Sequence, residues 1–152
     1  MSETKSKRPK VLAGIDIKVI TGCGNMYVKL NWNNDKLFEI FATLGKAGGC
    51  ATCQSEAITR CLTIGLGYGV PIEVFVKHLS GISCPYPVAF PKKDAVSSCP
   101  DAIAKILKEY GLLSLRQALD KAEGTTTDLT ESEVADRVQQ LASEREKAGL
   151  YE

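Results

Sequence analysis

The chain is poor in the residues that most often carry acid–base chemistry. Among 152 residues there is one histidine, one tryptophan and two methionines, and aromatics make up only 7%. No stretch approaches the roughly eighteen consecutive apolar residues of a membrane span, and no apolar signal core stands at the N-terminus. The expectation is a cytoplasmic protein without membrane contact. The lone histidine, His78, falls inside a helix-like stretch, and nothing in the sequence brings a thiol to it. The acids Glu39, Glu56 and Asp101 sit in no catalytic motif, and Asp101 reads as a helix-start charge. On residue chemistry alone this is a binding module rather than an enzyme. The length suits one domain with room for a small appendage, and 44% apolar with 24% charged residues is ordinary globular composition.

Net charge is +1, but it is unevenly spread. Up to Tyr110 there are fourteen Lys/Arg against nine Asp/Glu; from Gly111 there are five against nine. Residues 1–10, with "KSKRPK", read as a flexible basic arm of the kind that solubilises a chain or touches phosphates. Residues 111–152 read as an acidic helical tail.

Residues 11–20 and 25–32 alternate apolar and polar positions as strands do, and "TGCG" between them makes a turn that presents Cys23. After "NND", "KLFEIFATLG" is a third strand or the entry to a helix. The fold class expected is α+β: a small antiparallel meander packed against helices, with a C-terminal helical appendage. A helix should follow Cys50, burying Ala57, Cys61, Leu62, Ile64 and Leu66 and ending in Gly65, Gly67 and Gly69. Pro71 at N1 opens another, with Val74, Phe75 and Leu79 on one face. Residues 83–97 form a proline-punctuated loop. "SSCPDAIAKILKEYG" restarts a helix capped by Ser98 or Cys99, with Pro100 at N1 and Gly111 as stop. Capping-box spacing at Ser114/Gln117 and Thr130/Glu133 marks two more, ending at Gly124 and Gly149. The apolar positions Leu129, Val134, Val138 and Leu141 suit packing on the body or on a second copy of the chain, hence a homo-oligomer through the tail.

Cysteine is what the chain does have: six residues, which in a reducing cytosol favours free, metal-bound or catalytic thiols over disulfides. Four sit in turns or where an element begins: Cys23, Cys50, Cys84 and Cys99. Cys61 reads as a small buried hydrophobe. Helix dipoles should make Cys50 and Cys99 easier to deprotonate than free thiols. Four such thiolates could close a tetrahedral zinc site, although the dispersed spacing does not demand one. The C-x₂-C pair Cys50–Cys53 allows two other readings, a zinc pair with Cys53 in place of Cys23, or a redox dithiol. The loop of Gly45, Lys46, Gly48 and Gly49 before the helix allows anion, nucleotide or nucleic-acid contact. It lacks the order of a P-loop.

Taken together, "TGCGNMYV", "GKAGGCA", "SEAITR", "SSCPD" and "CPDAIAKIL" resemble the TSCPD domain, across Val11 to Tyr110 and in that family's motif order. That family occurs at the C-terminal end of adenosylcobalamin-dependent ribonucleotide reductases and as free-standing small proteins. The resemblance implies a structural zinc held by Cys23, Cys50, Cys84 and Cys99, and makes the Cys50–Cys53 pair incidental. It implies an accessory module of deoxyribonucleotide metabolism, residues 11–110, that partners a ribonucleotide reductase or a related protein. Such a module is not catalytic by itself; within an enzyme it would be part of an adenosylcobalamin-dependent ribonucleoside-diphosphate reductase. A nucleotide or nucleic-acid binder and a thiol-redox partner stand as alternatives. The family's "T" before "SCPD" is Ser97 here, and the acidic tail lies outside the resemblance.

Overall fold

Strict alternation in "GNMYVKLNWN" builds the centre of the molecule. The computed structural model describes residues 4–45, 49–89 and 95–126. Strands β1 (Ala13–Thr21), β2 (Gly24–Asn33) and β3 (Lys36–Leu44) form an antiparallel sheet in the order β1-β2-β3. On β2, Met26, Val28, Leu30 and Trp32 are all buried, while Tyr27 and Lys29 between them point to the other face. Register fixes the rest: Val19 stands opposite Met26, and Met26 opposite Leu44. The third apolar stretch is therefore a strand and not a helix entry. Asn34 at φ 56° makes the tight turn into β3, a conformation asparagine tolerates better than most residues.

Four helices follow: α1 (Cys50–Gly67), α2 (Ile72–Leu79), α3 (Cys99–Ile106) and α4 (Leu115–Thr126). A π-helical turn, Leu107–Gly111, continues α3. α1 packs along β3, and α3 contacts β1, β2, α1 and α2. The core thus lies between one face of the sheet and these helices, with Trp32, Met26, Leu30, Ile40, Ile103 and Leu107 fully enclosed. The indole of Trp32 donates to the Leu113 carbonyl at 2.9 Å, which satisfies its one polar atom. On the edge strand β3, the Thr63 hydroxyl serves both the N–H and the carbonyl of Ile40, at 3.0 and 3.1 Å. That contact removes pairing groups an edge would otherwise offer.

Several expected faces turn out differently. α1 buries Ser55, Thr59, Leu62 and Gly67, whereas Ala57, Cys61 and Ile64 are exposed. The small polar residues fit because α1 lies close to the sheet, and Thr59 returns its hydroxyl to the Ser55 carbonyl. The inward face of α2 is Ile72, Phe75, Val76 and Leu79, with Val74 outside. Pro71 is the N-cap of α2 rather than its first residue. Gly69, at φ 78°, ends the α1 region by turning left-handed. The Ser114/Gln117 capping box forms as its spacing predicts, at 3.0 and 3.3 Å, but α4 runs through Gly124 without stopping.

The N-terminal arm is tied down at two points. The Ser6 N–H donates to the Gly67 carbonyl at 2.9 Å, and Arg8 makes a two-pronged ion pair with buried Glu39, both contacts at 2.8 Å. Arg8 and Asn31 hold the Glu39 carboxyl below its usual range against the opposing cost of burial. The chain divides into Met1–Ala118 and Leu119–Glu152, so residues 111–118 belong with the body. The Thr130/Glu133 box and the rest of the tail lie outside the described residues.

Candidate metal centre

Three loops meet at one corner of the sheet, and each brings a cysteine. Cys23 sits in the two-residue turn between β1 and β2. Thr21 shapes that turn, accepting from the Cys23 N–H at 3.2 Å and donating to the Gly24 carbonyl at 2.9 Å. Cys84 lies just after α2, in a strip zipped to the start of α3: its N–H donates to the Ser97 carbonyl at 3.0 Å, and Val88 and Val96 exchange two bonds of 2.9 Å. Cys99 is the first residue of α3, after the N-cap Ser98. The hairpin turn and the Cys84 loop touch directly. A Cβ on Gly22 would fall 1.8 Å from the Tyr86 carbonyl oxygen, so only glycine permits this approach.

Asp101 holds the corner together. It is almost fully buried; its Oδ1 accepts from the Gly81 N–H at 2.8 Å and its Oδ2 from the Ser97 N–H at 2.9 Å. Lys105, one turn on, pairs with it at 3.1 Å. The Asp101 backbone N–H donates to the Ser98 hydroxyl, which in turn donates to the Ile82 carbonyl. Burial works against the charged carboxyl, but the two backbone donors and Lys105 outweigh it and hold its pKa below the usual range. One side chain therefore fixes both flanks of the Cys84 loop against the helix that carries Cys99. The sequence reading of Asp101 as a plain helix-start charge missed this, because the partner Gly81 is twenty residues away. The Ser-x-x-acid spacing from Ser98 was the available signal.

The thiols feel one another. Burial pushes the Cys99 thiol up, the Thr21 hydroxyl at 3.7 Å pulls the other way, and the neighbouring Cys23 and Cys84 push it further. Burial and the two neighbouring thiols thus work against the easier deprotonation expected of Cys99 at a helix start. Three close thiols are stable as neutral groups, or as thiolates once a cation stands among them. Among the described residues, no three His, Cys, Asp or Glu side chains stand ready at metal-binding geometry. Of the three, Cys99 is buried, Cys84 half-buried and Cys23 exposed.

Cys50 opens α1 and is exposed. β3 ends at Leu44, opposite Met26 and at the end of the sheet where the Cys23 turn lies, and α1 begins at Cys50. Cys53 and Cys61 are exposed along α1, which corrects the reading of Cys61 as a buried hydrophobe. Lys46 and Gly48 lie outside the described residues. Gly45 and Gly49 both have open space where a Cβ would stand, and neither has positive φ.

The fold is a small α+β module, with Cys23, Cys84 and Cys99 near one another at one end of its sheet. The family model of the TSCPD domain matches residues 3–111, and the chain belongs to that family. Among curated proteins it is similar to the vitamin B12-dependent ribonucleotide reductases of Streptantibioticus cattleyicolor and Streptomyces clavuligerus. Each is 28% identical over 79 residues, 51% of this chain, and the aligned part is only 13% and 8% of those proteins. No solved structure matches. No described helix is long and apolar enough to cross a membrane.

Proposed function

We propose that the chain is a zinc-stabilised accessory module of ribonucleotide reduction, with no catalysis of its own. The observation that carries the reading is the meeting of Cys23, Cys84 and Cys99 from three separate loops at one corner. Their donor chemistry suits zinc, which favours thiolate and imidazole ligands, and a fourth thiolate would close the site. Cys50 is our choice for that fourth ligand, since it starts the next element at the same end of the sheet. Zinc held by four protein thiolates supplies a cross-link between loops and leaves no open position for substrate. Cys23 would then tie the hairpin, Cys84 and Cys99 the α2–α3 connection, and Cys50 the head of α1. Asp101 keeps two of the ligands in register. The partner proposed is a ribonucleotide reductase of the vitamin B12-dependent type, because the curated relatives carry that name and the matched part is a minor share of each.

The test is elemental analysis of the purified, unstripped chain, beside variants with each of Cys23, Cys50, Cys84 and Cys99 changed to serine. About one zinc per chain is expected in the wild type, and little in any of the four. Much less than one in the wild type, or full retention in Cys84→Ser, would remove the metal reading. Gel filtration with a vitamin B12-dependent reductase tests the partner separately, and failure to co-migrate at micromolar concentrations would count against it.

A further inference from the structure

We propose that the open face of the sheet binds single-stranded nucleic acid, with Tyr27 and Phe41 as the stacking surfaces. The inference is independent of the metal reading, since this face is the one turned away from the core. Because side chains alternate, the register that buries Met26, Val28 and Ala42 sends Tyr27, Lys29 and Phe41 outward. Tyr27 stands opposite Thr43 and Lys29 opposite Phe41, so the two rings are diagonal neighbours on adjacent strands. They are 40% and 44% exposed, which leaves ring area uncovered on this face. On β1, Lys18 stands opposite Tyr27.

The charge around the rings argues for a polyanion with flat bases over an apolar partner. Lys18 and Lys29 flank them on the sheet, and Lys7 and Lys10 are exposed on the arm. That arm is led to this face by the bond from Arg8 to Glu39, which shares its row with Asn31. Asp16, opposite Lys29, is the acid set against these four lysines, because Glu39 is already paired with Arg8. Every base has a π-face, so two adjacent rings with lysines beside them bind a flexible strand without needing to read its sequence.

Fluorescence anisotropy with a labelled oligothymidylate of about twelve nucleotides tests this, at low and at physiological salt. The variants are Tyr27→Thr with Phe41→Thr, each single change, and Lys18→Ala with Lys29→Ala. Threonine keeps strand propensity, and thermal melts check that each variant is folded. The wild type is expected to bind, more weakly as salt rises. Loss of each ring should weaken binding about tenfold, since stacking contributes ~1–3 kcal/mol per base. The lysine pair should flatten the salt dependence. No binding at low salt would overturn the proposal, and so would a folded ring variant that binds like the wild type. Equal binding of polyglutamate would also overturn it, by pointing to an acidic peptide as the occupant.

Discussion

Cys23, Cys84 and Cys99 occupy one corner of the sheet, and Cys53 and Cys61 lie along the flank of α1; the two groups are chemically identical, but Cys99 is buried and Cys84 half-buried, while Cys23, Cys53 and Cys61 are exposed. At the corner, three loops converge, a buried carboxylate pins them, and the Cys99 thiol is pushed up by burial and by its neighbours. On α1, both thiols face outward from a helix whose buried side is Ser55, Thr59 and Leu62. The difference teaches that a cysteine at a helix start covered by neighbouring loops, as Cys99 is, can be buried, while the mid-helix Cys53 and Cys61 stay exposed. Half of any surface helix stays wet, and the turn residue Cys23 is exposed as well.

The sharpest way to break the comparison is to remove one thiol from each group. Cys23→Ser, Cys84→Ser or Cys99→Ser should abolish zinc content, while Cys53→Ser and Cys61→Ser should leave both zinc and melting temperature unchanged. Zinc lost equally from Cys53→Ser would merge the two groups and return the C-x₂-C pair to the ligand set. Next in size is Asp101→Ala, expected to cost about 3 kcal/mol in chemical denaturation, because it removes two hydrogen bonds to a charged carboxylate, from the Gly81 and Ser97 N–H groups. Asp101→Asn keeps an acceptor and should cost roughly half as much. A loss within 0.5 kcal/mol or so for Asp101→Ala would mean that the corner does not depend on this clamp.

Acidity should act on the corner from both sides. Asp101 and Glu39 have lowered carboxyl pKa values, so the stability they add is present above about 3.9 and 4.3. It is lost as pH falls from there through their folded values. Cys99 has a raised pKa, so its contribution is present in full below about 8.5 and is lost as pH rises through the folded value. Denaturation curves of metal-free protein should therefore weaken at both ends. Metal-loaded protein should keep its alkaline arm, and identical alkaline profiles would count against thiolate ligation. The smallest effect is on the α1 side. The Ser55 hydroxyl is buried without a hydrogen-bond partner among the described residues, so Ser55→Ala should be neutral or stabilising by up to about 1 kcal/mol in a thermal melt. A clear destabilisation would show that the hydroxyl has a partner in solution.

The meander was legible because β2 alternates cleanly between core and surface, and the helix starts at Cys99 and Leu115 were legible because Ser98 and Ser114 cap them. The placing of Cys23 in a turn and of Cys50 and Cys99 at helix starts was legible, since turns and helix starts announce themselves through glycine, serine and proline. Which way Cys61 faced was not legible. Ala57, Cys61, Ile64 and Leu66 look as apolar as the true inner residues, and α1 instead buries Ser55 and Thr59 where it lies close to the sheet. Hydrophobicity assigns a helix face only when one side is clearly greasier, and here the two sides nearly balance.

The sequence alone determined the α+β class and the caps at Ser98 and Ser114, because these depend on residues within a few positions of one another. Tertiary structure alone decided that Cys23, Cys84 and Cys99 share a corner, that Asp101 reaches back to Gly81, and that Arg8 closes on Glu39 across thirty-one positions. Those contacts join segments far apart in the chain, and their geometry exists only once the sheet and the helices have packed.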